Sequence, residues 1–126
     1  MRKVFVAAAI LLVLAVMVLS RKSEEGFRIT VHNQSDQEIS RLTLVYPNGS
    51  KKFKMEAYSE KKLHVIPRNF GEGSINLLYE DKLTKQDITI FGYIENNYWG
   101  KADIIIDSKT ENGDLQVTVK TEDHLY

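Results

Sequence analysis

From Phe27 onward the apolar residues of this chain recur at every second position, and no stretch keeps a helical period. Side chains alternate between the two faces of a strand, so this pattern describes half-buried strands and excludes an amphipathic helical bundle. Eight stretches carry it. Phe27, Ile29 and Val31 share a face in the first, and Leu42, Leu44 and Tyr46 in the second. Phe53, Met55 and Ala57 follow, then Leu63 and Val65. Ile75, Leu77 and Tyr79 align next, then Ile88, Ile90 and Ile94 with Gly92 in register. Ala102, Ile104 and Ile106 form the seventh set, and Leu115, Val117 and Val119 the eighth.

Turn chemistry separates the strands. Asn48-Gly49 and Asn112-Gly113 are hairpin signals, because both residue types tolerate positive φ. Pro67 and the glycines at 71 and 73 break the chain between the fourth and fifth strands. About 100 residues hold one domain. The expectation is an all-β, antiparallel β-sandwich of about eight strands over residues 27–126, immunoglobulin-like at its most specific. A small closed barrel is the alternative.

Ahead of this domain lies a different kind of sequence. Arg2 and Lys3 precede an uninterrupted apolar run from Val4 to Leu19, followed by Ser20, Arg21 and Lys22. Sixteen residues at about 1.5 Å each make a helix of roughly 24 Å, short for a bilayer core and long for a signal-peptide apolar region. Residues 1–22 are read as an N-terminal hydrophobic helix, either a signal-anchor that stays or a signal peptide that is removed. Arg21 and Lys22 suit an anchor, because their long side chains reach the headgroups. Residues 23–26 form a short polar linker. Both readings place the domain outside the membrane, anchored through residues 4–19 or secreted.

The chain contains no cysteine. A small exported domain without disulfides points to a bacterial envelope rather than to a eukaryotic secretory route. Asn33-Gln34-Ser35 and Asn48-Gly49-Ser50 are then turn sequence rather than glycosylation sites. Net charge is zero over the whole chain, yet it is unevenly spread. Residues 41–68 hold seven Lys and Arg against two Glu, and residues 69–126 hold five against eleven acids. Such a distribution suits a solvated surface or a face for an anionic polymer.

Catalytic groupings are missing. There is no thiol, no nucleophile elbow, no phosphate-cradling glycine loop, and His32, His64 and His124 lack metal-ligand spacing. The expectation is a non-enzymatic protein with no cofactor and no metal. The basic stretch lacks interleaved stacking aromatics, which speaks against nucleic acid. Two candidate surfaces remain. Leu78, Phe91, Tyr93 and Ile105 fall on the phase opposite to the core sets, and Tyr98 and Trp99 sit in the loop between them. If their strands are neighbours they form one outer stripe for a partner, since contiguous exposed apolar residues mark contact sites. Lys52, Lys54, Lys61 and Lys62 form the second candidate, an anionic-surface contact. The function expected is an extracytoplasmic interaction domain binding a protein or cell-envelope component. The alternative is a carbohydrate- or anionic-polymer-binding module of the envelope.

Overall fold

A computed structural model describes residues 26–66 and 71–124. The N-terminal segment read as an anchor or signal, and most of the linker after it, lie outside the described residues. All described regular structure is β. The strands are β1 (Phe27–Asn33), β2 (Ile39–Tyr46), β3 (Gly49–Met55), β4 (Glu60–Val65), β5 (Glu72–Glu80), β6 (Lys85–Glu95), β7 (Trp99–Lys109) and β8 (Leu115–His124). They form two four-stranded sheets, ordered β4-β1-β7-β8 and β3-β2-β5-β6.

The alternating residues fill the space between the sheets. Phe27, Ile29 and Val31 of β1, with Ile104 and Ile106 of β7, meet Leu42, Leu44, Ile75 and Leu77 of the other sheet in one buried cluster. Phe27 and Phe91, from opposite sheets, pack as a tilted pair with ring centroids 4.7 Å apart. Removing these side chains from water is the main favourable contribution to folding, at roughly 25 cal/mol per Å² of apolar surface. Side-chain bonds tie the sheet edges together. Gln86 of β6 donates to the Leu115 carbonyl of β8 and accepts from its N–H, both at 2.9 Å. On the other flank the Lys51 ammonium of β3 donates to the His64 carbonyl of β4 at 3.3 Å.

Three local features depart from the expected pattern. β1 pairs with β4 in antiparallel fashion but runs parallel to β7, so the sandwich is not antiparallel throughout. The β5–β6 ladder shifts register between Gly73 and Ile75 and again between Ile75 and Asn76. Such bulges insert an extra residue and change which face the following side chains occupy. Ile90, Phe91 and Ile94 are therefore all buried, whereas Gly92 is exposed. At the Pro47-Asn48 turn neither Asn48 nor Gly49 takes positive φ; among the two expected glycine turns only Gly113 does, with φ 91°.

Strand direction alternates along the chain, which gives the sandwich two distinct ends. The proximal end, where β1 begins at Phe27, also holds the β2–β3 turn, the end of β4, the start of β5, and the β6–β7 turn. There the Gly100 N–H donates to the Gly26 carbonyl at 3.1 Å. The distal end holds the other four turns. Its β1–β2 turn is fixed by Asn33, which is buried to 1 % exposure. The Asn33 amide donates to the carbonyls of Gln37 and Glu56, and its oxygen accepts from the Ser35 N–H and hydroxyl. A side chain so enclosed is a structural bracket between two turns.

Candidate functional site

The outward phase of the β4-β1-β7 strands builds a concave surface among the described residues. β1 lies between its two neighbours, with Arg28 opposite both His64 and Lys101, and Thr30 opposite both Lys62 and Asp103. Neighbouring strands lie about 4.8 Å apart, so each row of three residues spans roughly 10 Å. Between the long side chains Thr30 is short, and an open groove of about 510 Å³ follows, lined by these six residues together with Ile29, Leu63 and Ala102. Lys62, His64 and Lys101 are exposed, and Arg28 and Thr30 are half-buried.

Electrostatics give the groove its character. Arg28, Lys62 and Lys101 supply three permanent cations. The one carboxylate in the lining, Asp103, is engaged by the His32 ring 3.1 Å away in the next row. An oxyanion lying over Thr30 would meet cations from three different strands, with the Asp103 carboxylate on one side of it. What the arrangement offers chemically is charge and hydrogen-bond donors on a rigid, shallow floor, suited to holding an anionic chain.

The residues expected from sequence fall elsewhere, in separate places. β6 and β7 lie in different sheets, so no single stripe exists. Leu78 faces outward from the β3-β2-β5-β6 sheet, opposite Thr43 and Asp87. Ile105 faces outward from the other sheet, opposite His32 and Thr118. Phe91 is 5 % exposed and belongs to the core, a consequence of the β6 bulge. Tyr93 and Tyr98 do meet, at the proximal end, and Trp99 follows as the first residue of β7. The Tyr93 and Tyr98 rings contact edge-on with centroids 6.2 Å apart. Tyr93 is half exposed, and its hydroxyl donates to Glu95 and, at 3.0 Å, to Glu72. These carboxylate contacts, with that to Glu95 foremost, raise its pKa above the ordinary tyrosine range. Partial burial, reinforced by Glu95, raises the Tyr98 pKa too.

The four lysines also divide. Lys52 and Lys54 lie on β3 and Lys61 and Lys62 on β4, edge strands of different sheets. Of these, Lys62 alone lines the groove. Sequence reasoning missed Arg28, His64 and Lys101 as a group. Each sits on the outward phase of its strand, and only the sheet order brings the three together.

A second polar cluster joins the distal turns. Asp81 accepts from the Leu83 and Thr84 N–H groups at 2.7 and 2.9 Å, from the Tyr79 hydroxyl at 3.1 Å and from Lys109 at 3.1 Å. The Leu83 N–H and then Lys109 hold its pKa down from 3.8 to about 2. Lys109 is pushed up by Tyr79 and by Asp81. Every partner here is internal, so the cluster is a clasp between β5 and β7. No group of three or more His, Asp or Glu among the described residues is arranged to hold a metal ion. Compared with family models, curated proteins and solved structures, the chain gives no match.

Proposed function

We propose that this chain is a non-enzymatic interaction domain presented outside the membrane, and that it binds an anionic component of the cell envelope through the β4-β1-β7 groove. The observation that carries this reading is the convergence of Arg28, Lys62, His64 and Lys101 around one open concavity. The strands fix the backbone positions of the cations before a ligand arrives, so the ordering cost of binding is confined to their side chains. The hydrophobic segment at residues 4–19 supports the location, through an export address that either stays in the membrane or is removed. In place of the aromatic stripe, the contact surface is a charged sheet face. For the fold, the immunoglobulin-like reading reduces to layout. In the constant-type arrangement the first strand sits beside the second, whereas here it sits between the fourth and seventh.

The test uses polyphosphate as an anionic probe and the full chain in detergent. Lys62→Glu with Lys101→Glu should weaken binding about ten-fold or more, equivalent to about 1.4 kcal/mol. Lys52→Glu with Lys54→Glu, on the other sheet, should leave it within a factor of about two. Affinity should fall steeply as salt rises, since the Debye length is about 8 Å at physiological ionic strength. Equal losses in both double variants, or salt-independent binding, would overturn the groove as the site.

A further inference from the structure

The groove faces sideways, along the flank of the sandwich, and leaves the proximal end unexplained. Four residues with apolar side chains lie at that end. Ile66 is 37 % exposed and Tyr93 50 % exposed. Tyr98, whose ring meets Tyr93, and Trp99 are half-buried. Two turn features hold the aromatics in place. The Tyr98 N–H donates to the Glu95 carbonyl at 3.2 Å, with Asn97 at φ 73°, a left-handed conformation that Asn tolerates. Trp99 directly precedes Gly100, whose N–H is bonded to Gly26, so the tryptophan is pinned beside the point where the chain enters the sandwich.

Chain length and charge identify what covers this end. Six residues, Ser20 to Glu25, separate the hydrophobic segment from Gly26. Fully extended, they reach about 20 Å, whereas the eleven residues of β7 alone run about 36 Å. An anchored chain therefore keeps its proximal end near the membrane. Turn carboxylates concentrate at the far end. The four distal turns contain Asp36, Glu38, Glu56, Asp81, Glu111 and Asp114. Among the described residues the proximal turns 47–48 and 96–98 contain no acidic residue, and the acids at this end are on strands, Glu122 and Asp123 of β8 standing opposite Lys101 and Gly100. Glu72 and Glu95 are both engaged by the Tyr93 hydroxyl. The exposed apolar residues of the distal end, Tyr58 and Leu83, stand singly beside Glu56, Glu60 and Asp81.

We propose that the proximal end docks on the phospholipid surface of the membrane holding residues 4–19, with Ile66, Tyr93, Tyr98 and Trp99 seated at the headgroup layer. This rests on the reading of residues 4–19 as a retained anchor. Tyr and Trp favour that depth, because the ring is apolar and its hydroxyl or N–H remains hydrated. The strands then stand away from the bilayer, the acidic turns point outward, and the basic groove opens laterally to the envelope.

Trp99 is the single tryptophan of the chain, which makes the test direct. The full chain is reconstituted in phosphatidylglycerol–phosphatidylethanolamine vesicles, with and without lipids brominated near the headgroup. A high-salt wash first shows whether the chain stays in the membrane. Retention together with loss of Trp99 emission on bromination, and shielding from aqueous iodide, is the expected result. In a Trp99→Phe, Tyr58→Trp variant the distal reporter should be quenched by iodide and not by brominated lipid. Retention with iodide quenching of Trp99, or equal lipid quenching of both reporters, would overturn the docking and leave the anchor standing. Release of a soluble chain beginning near Arg21 would overturn both.

Discussion

Phe91 and Tyr93 are two residues apart, yet one is core and the other rim. Strict alternation puts both on the same face, and the sequence reading did so. The β6 bulges separate them: Phe91 turns inward against Phe27, while Tyr93 stays out with its hydroxyl on Glu72 and Glu95. Truncating them should therefore have unequal effects. Phe91→Ala is expected to cost about 3 to 5 kcal/mol, and Tyr93→Ala about 1 kcal/mol or less. Denaturant unfolding of the two variants checks this, and equal costs would place Phe91 outside the core. Asp81 carries a second residue-scale expectation. Its pKa is lowered in the fold from 3.8 to about 2, so the stability it contributes is fully present above the unfolded value. That contribution is lost as pH falls through the window between those two values. Thermal unfolding followed across this range should show a steeper acid decline for the wild type than for Asp81→Asn. Matching declines would mean that the clasp to Lys109 and the turn amides adds nothing to stability.

Among the elements, strands were legible and their neighbours were not. Burying one face of a strand imposes period two on the sequence, and all eight stretches read this way are strands, although Ala57 falls beyond the end of β3 and the bulges of β6 bury Phe91 on the other phase. Sheet order leaves no comparable mark. Nothing in the outward residues Arg28, His64 and Lys101 tells that β1 lies between β4 and β7, because each is flanked in sequence by residues of the opposite face. Bulges escape for a related reason: one extra residue is visible only against a partner strand. The same limit hid the packing of the β2–β3 turn against β5. A Cβ on Gly73 would overlap the Pro47 ring, so glycine is required there by close approach and not by backbone conformation. Gly73→Ala should cost about 1 to 3 kcal/mol by forcing that turn away. Pro47→Ala in the same background should recover part of the loss, a coupling that a double-mutant cycle measures.

At the scale of the whole molecule, sheet order and chain direction separate three surfaces. The flank formed by β4, β1 and β7 carries the basic groove, the proximal end gathers the aromatic residues, and the distal end carries acidic turns. A neutral formal charge conceals this division, because cations and anions cancel in the sum and not in space. Among the described residues the buried core lies within residues 27–115, with Val117 and Val119 packed against it. Isotope-labelled residues 23–126, titrated with polyphosphate and followed by amide chemical shifts, test the binding account most directly. The account predicts shifts concentrated at Arg28 to Thr30, Lys62 to His64 and Lys101 to Asp103, disappearing at high salt. Shifts centred instead on Lys52 and Lys54 of the opposite sheet, or none at low salt, would contradict it.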